Sequence, residues 1–380
     1  MNRPLSLLNQ LTPEIFLAEY WQKKPLLIRQ AIPNFTGLLS PNELAGLACE
    51  DDVQSRIIQN KNNTWTLTHG PFSEDTFSTL PESNWTLLVQ SVNHHLPEAA
   101  TLLKQFNFIP HARLDDLMVS YAPKGGSVGA HLDSYDVFLL QANGSRRWKI
   151  NTHPDLSLIE DAPIRLLKQF ETEQEWVLAP GDMLYLPPNV AHHGISEDDN
   201  CMTYSIGFRA PKKQALIEGF LAHLQETIQV DGLYEDADLR LQRHPSEISD
   251  AMIAKVEHVF NSITWHTKTV SDFLGRSISE PPADVVFESP FEDIDFSIDD
   301  FAQALTKQNM RLDLKSQLLF SHDCFYLNGE QLIVTPSITE RVRELADHRI
   351  LQTINLTEKQ RSLLASNFHV ALMAGYVHLE

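Results

Sequence analysis

Cysteine is scarce in this sequence. The 380 residues hold three, Cys49, Cys201 and Cys324. They are far apart and odd in number, which leaves no disulfide framework and no cysteine-based metal spacing. Long apolar runs are also missing. No stretch approaches the roughly 20 residues that span a bilayer, and the opening MNRPLSLLNQLTPEIF has neither a long apolar core nor a small-residue cleavage site. The expectation is a soluble protein in a reducing, cytoplasmic setting, without a membrane. Positive charge is short as well: 30 Lys and Arg stand against 50 Asp and Glu, for a net charge of -20. A nucleic-acid binder usually carries a basic face, so no direct nucleic-acid partner is expected. The charge suits a basic protein partner, and equally an ordinary acidic protein. With 42% hydrophobic and 21% charged residues, the chain reads as globular, and its length allows more than one domain. There is no internal repeat and no low-complexity tract.

The first hundred residues mix helix and strand. Thr12-Pro13 reads as a cap and first-turn proline, and Ser40 with Glu43 as a capping box. WTLLVQSV (85–92) reads as a strand and PEAATLLKQF (97–106) as a helix. From about 111 to 208, short strands alternate with Gly, Pro and Asn turns, which predicts a sandwich or barrel. After RAPKK (209–213) the pattern turns helical at 214–228 and 247–263. The stretch 281–300 is acidic, has no Lys or Arg, and reads as a linker or solvated loop. Beyond it come capped helices at Ser337/Glu340 and Thr357/Gln360, preceded by an Asn328-Gly329 hairpin. That layout suits a small winged-helix-like module.

The segment GAHLDSYDVFLLQANGSRRW (129–148) carries the chemistry. In a strand, side chains alternate between faces, so His131, Asp133 and Tyr135 point one way with Val137, Leu139 and Gln141. Asn143-Gly144 is a strong hairpin signal. A two-residue turn there would pair Gln141 with Arg146 and Leu139 with Trp148, placing Arg146 on the wall of His131 and Asp133 and Arg147 on the other face. A third ligand is expected from PGDMLYLPPNVAHHG (180–194), where a Pro-limited strand end presents His192. Alternation points His193 away. Two histidines and one carboxylate form the facial triad of non-haem Fe(II) oxygenases. Zinc catalysis uses the same ligand types but leaves the arginine unexplained. A buried arginine needs an anionic partner, and the carboxylate of a co-substrate fits its fork. A lone H-x-D is a weak signal, and His131 by itself reads as a core histidine. The combination with Arg146 and His192 favours the metal.

Gly125, five residues and His131 resemble the first cupin motif, with Asp133 in place of its second histidine. Gly181, Pro187 and His192 resemble the second, with Asn189 where cupins often have glycine. This combination is similar to the JmjC-type 2-oxoglutarate oxygenases. RLDDLMVSYA, HLDSYDVFLLQ, RRW and YSIGFRAP together resemble the bacterial ribosomal oxygenases, which hydroxylate an arginine of large-subunit ribosomal protein L-sixteen. The resemblance implies an α+β chain. A double-stranded β-helix (jelly-roll, cupin) core with an N-terminal α/β region fills 1–210, a helical dimerisation region 211–275, and a winged-helix-like domain 276–380. It implies that His131, Asp133 and His192 bind Fe(II), that Arg146 holds the far carboxylate of 2-oxoglutarate with help from Ser120, and that O2 is the second co-substrate. It also implies that Asp116 meets the substrate guanidinium, that Met118 and Tyr135 clamp its stem, and that Ser205 adds a polar contact.

The residues themselves agree in part. Asp116, Met118 and Ser120 alternate and share a strand face, and an acid, a thioether and an aromatic ring suit an arginine. Met118 reads equally as core, and only one of Asp115 and Asp116 can point inward. The expected enzyme is an Fe(II)- and 2-oxoglutarate-dependent arginine hydroxylase with a basic ribosomal protein as substrate, and a homodimer. The rivals are histidine hydroxylation, N-methyl-lysine demethylation, and a non-catalytic cupin-like binding protein.

Overall fold

The structure, a computed structural model, describes residues 3–291 and 294–380. Two of the residues in the expected acidic linker, 292 and 293, lie outside the described residues. The chain packs as two compact units. One comprises residues up to 210 with 282–288 and 313–315; the other comprises 211–281, 289–312 and 316–380.

Among the described residues, twelve strands build the first unit: β1 (Leu26–Ile28), β2 (Ser55–Lys61), β3 (Thr64–His69), β4 (Trp85–Val89), β5 (Leu114–Ala122), β6 (His131–Leu132), β7 (Asp136–Asn143), β8 (Arg146–Asn151), β9 (Gln174–Leu178), β10 (Met183–Leu186), β11 (Ala191–Ser196) and β12 (Cys201–Phe208). They form an eight-stranded sheet, ordered β1-β10-β7-β12-β5-β4-β2-β3, and a four-stranded sheet, ordered β6-β11-β8-β9. From β5 onward the chain passes back and forth between the two sheets, which is the winding of a double-stranded β-helix.

Alternation explains the long apolar runs. Val137 and Leu139 of β7 join Leu184 and Leu186 of β10 and Trp148 and Ile150 of β8 in a core between the sheets. Phe138, Leu140 and Ala142 point the other way, into a larger core with Phe16, Leu102, Phe106 and Tyr185. Strand β7 is therefore covered on both faces and reads as continuous hydrophobe.

Two sequence expectations fail here. Residues 131–141 are not one strand. Strand β6 ends at Leu132, the chain bends through Asp133–Tyr135, and β7 begins at Asp136 in the other sheet. Nor do β7 and β8 form a hairpin. Strand β7 has β10 on one edge and β12 on the other, so no edge is left for β8, which pairs with β11 and β9 instead. Gln141 pairs with Thr203, not Arg146. The turn between them crosses from one sheet to the other, and Asp198 fastens it by accepting hydrogen bonds from the Ser145 backbone N–H at 2.7 Å and hydroxyl at 2.8 Å.

The second unit begins with helices Lys213–Thr227, Asp250–Asn261 and Thr267–Ser279; the last of these is absent from the sequence reading. The C-terminal part packs helices Ile298–Ala304, Thr339–His348 and Glu358–Met373 with two three-stranded sheets around Phe301, Phe325, Phe368 and Leu372. The Asn328-Gly329 turn joins Leu327 to Glu330 as expected, with both turn residues at positive φ. Thr357 and Gln360 form a capping box. Ser337 does not cap a helix: Pro336–Ile338 is a 3-10 turn and the α-helix starts at Thr339. The acidic stretch is not only solvated, since Phe291 and Phe296 stack at 4.1 Å and pack on the second core.

Candidate metal and co-substrate site

A cavity of about 570 Å³ opens between the two sheets of the first unit. All nine residues singled out in the sequence line it: Asp116, Met118, Ser120, His131, Asp133, Tyr135, Arg146, His192 and Ser205. His193 is not among them; its ring meets Phe170 edge-on at 6.0 Å.

Strand pairing sets His192 opposite His131 across β11 and β6, with ring centroids 4.2 Å apart. Asp133 follows in the bend. One donor atom from each of the three residues lies within 4.8 Å of the others. The turn before β11 fixes this approach. Pro187 ends β10, Asn189 takes a left-handed φ of 66°, and its backbone N–H donates to the Asp133 carbonyl at 2.8 Å. Asparagine tolerates that conformation better than most residues, which explains how it stands in for glycine here.

The tautomers are fixed by the backbone. Nδ1 of His131 lies 3.0 Å from the Gly129 carbonyl, and Nδ1 of His192 lies 3.0 Å from the Val190 carbonyl. In the neutral ring each Nδ1 therefore carries the proton and each Nε2 the lone pair. Gly129 adopts φ +79°, and a Cβ there would lie 2.2 Å from Leu166, so the chain presents that carbonyl only with glycine. Burial, with His131 alongside, pushes the His192 imidazole down to about 4, so it is neutral near pH 7. Its Nε2 nevertheless faces the Asp133 carboxylate at 3.5 Å. Two acceptors aimed at one point, with a third beside them, suit a cation rather than a proton.

Arg146 is 3% exposed and reaches the cavity from β8. Three buried polar atoms on the cavity wall lack a hydrogen-bond partner among the described residues: Arg146 Nη2, Thr86 Oγ1 and Trp148 Nε1. A buried guanidinium nitrogen with nothing to bond is costly, and the carboxylate of a bound anion would satisfy it. Arg147, its neighbour, sits on the outer face and pairs with Glu175 and Glu197.

The other part of the wall is acidic. Burial raises the Asp116 carboxyl above its ordinary range. Its Oδ2 accepts from the Ser91 backbone N–H at 2.9 Å and from Gln90 Nε2 at 3.2 Å. Asp115 is exposed and pairs with Arg209. Tyr135 stands 40% exposed; partial burial and the nearby Asp133 carboxylate raise its pKa, so the phenol stays neutral. Ser205 is buried beside Met118 across the β12–β5 pair.

Several wall residues were missed in the sequence, among them Arg56, His69, Thr86 and Thr203. Arg56 and His69 come from the β2–β3 hairpin. Its turn residues Asn62 and Asn63 both have positive φ, and that Asn pair between two β-rich runs was the available signal.

Residues 101–216 match the JmjC domain family. The chain is 34% identical over 327 residues to ribosomal protein uL16 3-hydroxylase of Escherichia coli, covering 83% of this chain and 84% of that protein. It is 35% identical over 337 residues to a protein of Haemophilus influenzae named probable ribosomal oxygenase, covering 85% and 82%. The solved structure of the Escherichia coli ribosomal oxygenase YcfD in complex with cobalt and 2-oxoglutarate superposes with a TM-score of 0.84 at 32% identity, covering 97% of this chain and 98% of that one.

Proposed function

The chain belongs to the JmjC-type ribosomal oxygenases, and we propose that it is an Fe(II)- and 2-oxoglutarate-dependent hydroxylase of an arginine in large-subunit ribosomal protein L-sixteen. One observation carries the reading: two histidine rings and a carboxylate converge in the same cavity as a buried arginine with an unpartnered nitrogen.

His131, Asp133 and His192 would hold the iron, and Arg146, with Ser120, the far carboxylate of 2-oxoglutarate. When bound, iron and 2-oxoglutarate supply the oxidising power that puts one atom of O2 into a substrate C–H bond and the other into succinate, with release of CO2. The chain's own contribution is placement and exclusion of water. The Gly129 and Val190 carbonyls keep each Nε2 free for metal. Asp116 meets the cationic head of the substrate, Met118 and Tyr135 border its stem, and Ser205 offers a hydroxyl. A buried acid selects a cation, which favours arginine over histidine. The complete donor set argues against a non-catalytic binding protein.

The wider organisation follows the same reading. We take 1–210 as the catalytic domain, 211–275 as a dimerisation region and 276–380 as a winged-helix-like domain. Homodimerisation is supported by Ile217 and Leu221 on one helix and Ile253 and Phe260 on the next, exposed by 54%, 59%, 52% and 65%. No helix among the described residues is long and apolar enough to cross a membrane, in keeping with a cytoplasmic enzyme. The net charge of -20 suits a basic ribosomal protein and disfavours duplex DNA.

The test is intact-mass analysis of ribosomal proteins from cells with and without this protein. A gain of one oxygen on L-sixteen, mapped to arginine and dependent on 2-oxoglutarate in the purified reaction, is expected. An unchanged L-sixteen with another protein oxidised would overturn the substrate and keep the chemistry.

A further inference from the structure

Cys201 opens β12 and is fully buried. Its sulfur accepts a hydrogen bond from Arg146 Nε at 3.3 Å and another from Gln141 Nε2 at 3.5 Å. Gln141 is held in turn. Its Nε2 also donates to the Asn143 carbonyl at 2.8 Å, and its Oε1 accepts from Thr203 Oγ1 at 3.1 Å. Gln141, Arg146, Cys201 and Thr203 are all buried, and Arg146 and Thr203 line the cavity. Arg146 makes no ion pair with another described residue.

A guanidinium is a planar fork of five N–H donors with fixed geometry. Fastening Nε fixes the rotation of the whole fork and decides which nitrogens face the cavity. Nη2 is buried with no partner among the described residues. The nature of the fastening atom matters. A carboxylate at position 201 would orient the fork but also neutralise it, leaving little attraction for an incoming anion. A thiol sulfur is a weak acceptor that orients without competing for the charge.

We infer that Cys201, locked by Gln141, is a positioning residue that turns Arg146 toward the co-substrate's carboxylate while leaving its charge available. This rests on the reading of Arg146 as the 2-oxoglutarate arginine, and the experiment separates the two.

The full-length protein is loaded with Mn(II) under anaerobic conditions, and 2-oxoglutarate binding is measured by calorimetry. Losing the acceptor from a buried charged donor should weaken 2-oxoglutarate in Cys201→Ala by about tenfold. Cys201→Ser, whose oxygen still accepts, should stay within about twofold of the parent. Mn(II) affinity should not move in either. Should Cys201→Ala fail to fold, Cys201→Val fills the space without accepting a hydrogen bond and reads the same loss. A mere packing role is separated by repeating Cys201→Ala in an Arg146→Lys background. Lysine carries no Nε fork to orient, so the second substitution should cost nothing there. An equal loss in both backgrounds overturns the positioning role, as does normal binding by Cys201→Ala when Arg146→Ala has lost it. Normal binding by Arg146→Ala instead overturns the assignment of the arginine itself.

Discussion

Nε2 of His192, whose proton is held on Nδ1 by the Val190 carbonyl, presents its lone pair 3.5 Å from Oδ2 of Asp133. The pair is therefore unfavourable until a cation lies between, and this decides what Asp133→Ala does. The substitution removes one ligand of three and relieves a repulsion in the metal-free protein. Metal affinity should fall by about two decades or more and turnover should vanish. The melting temperature of the metal-free protein should hold or rise. Mn(II) titration alongside thermal melting checks this; a variant that binds metal and turns over normally would sink the triad.

The two adjacent histidines make a sharper contrast. His192 is buried in the cavity beside His131, whereas His193 faces Phe170 on the other side of β11. His192→Ala should abolish turnover and His193→Ala should leave most of it. Equal losses in succinate formation would show that strand alternation does not assign the ligand here.

These residues were legible in the sequence because metal and anion chemistry writes itself in residue type and short spacing. Alternation in β5 put Asp116, Met118 and Ser120 on one face without reference to any other strand. Register was not legible in the same way. Asn143-Gly144 looks like a hairpin locally, yet β7 finds its partners in β10 and β12, one of them nearly sixty residues on. Both that turn and the real crossover deliver Arg146 to the wall of the cavity, by different paths. Thr86 and Arg56 escaped because nothing local marks a threonine or an arginine as facing a cavity built by distant strands.

Asp116 gives a pH dependence whose sign can be worked out. Burial raises its carboxyl above the ordinary range, against the opposing pull of Ser91, Gln90 and Arg56. Between the ordinary and the raised value, the folded protein holds more proton than the unfolded chain, so stability falls as pH rises through that window. At neutral pH, ionised Asp116 is thus a cost to the fold. Asp116→Asn, which can still accept from Ser91 and Gln90, should raise the melting temperature at neutral pH while lowering it little or not at all in acid. Capture of a cationic substrate needs the carboxylate, so KM for substrate should climb as pH falls through the raised value. The Asn variant should show a high and flat KM. A flat profile in the parent would remove Asp116 from substrate recognition.

Arg146 and Arg147 are consecutive and opposite in environment. Arg146 pairs with Ser196 across β11 and lines the cavity, with Nη2 buried and unpartnered among the described residues. Arg147 points outward, bonded to Glu197 at 2.6 Å and also paired with Glu175. If the far carboxylate of 2-oxoglutarate meets Arg146 in a water-poor pocket, losing one side of that pair costs about 3–5 kcal/mol, or roughly two to three decades and more in affinity. Arg146→Ala should therefore raise the 2-oxoglutarate requirement far more than the iron requirement. Arg147→Ala breaks only a half-exposed surface network that salt already screens, so its co-substrate requirement should match the parent. Paired titrations of succinate formation, each against 2-oxoglutarate and against iron, read the contrast directly. Were Arg147 to control the co-substrate instead, the strand β8 that the structure places between β11 and β9 would have to present its opposite face to the cavity, and the assignment of the wall would be wrong along its whole length.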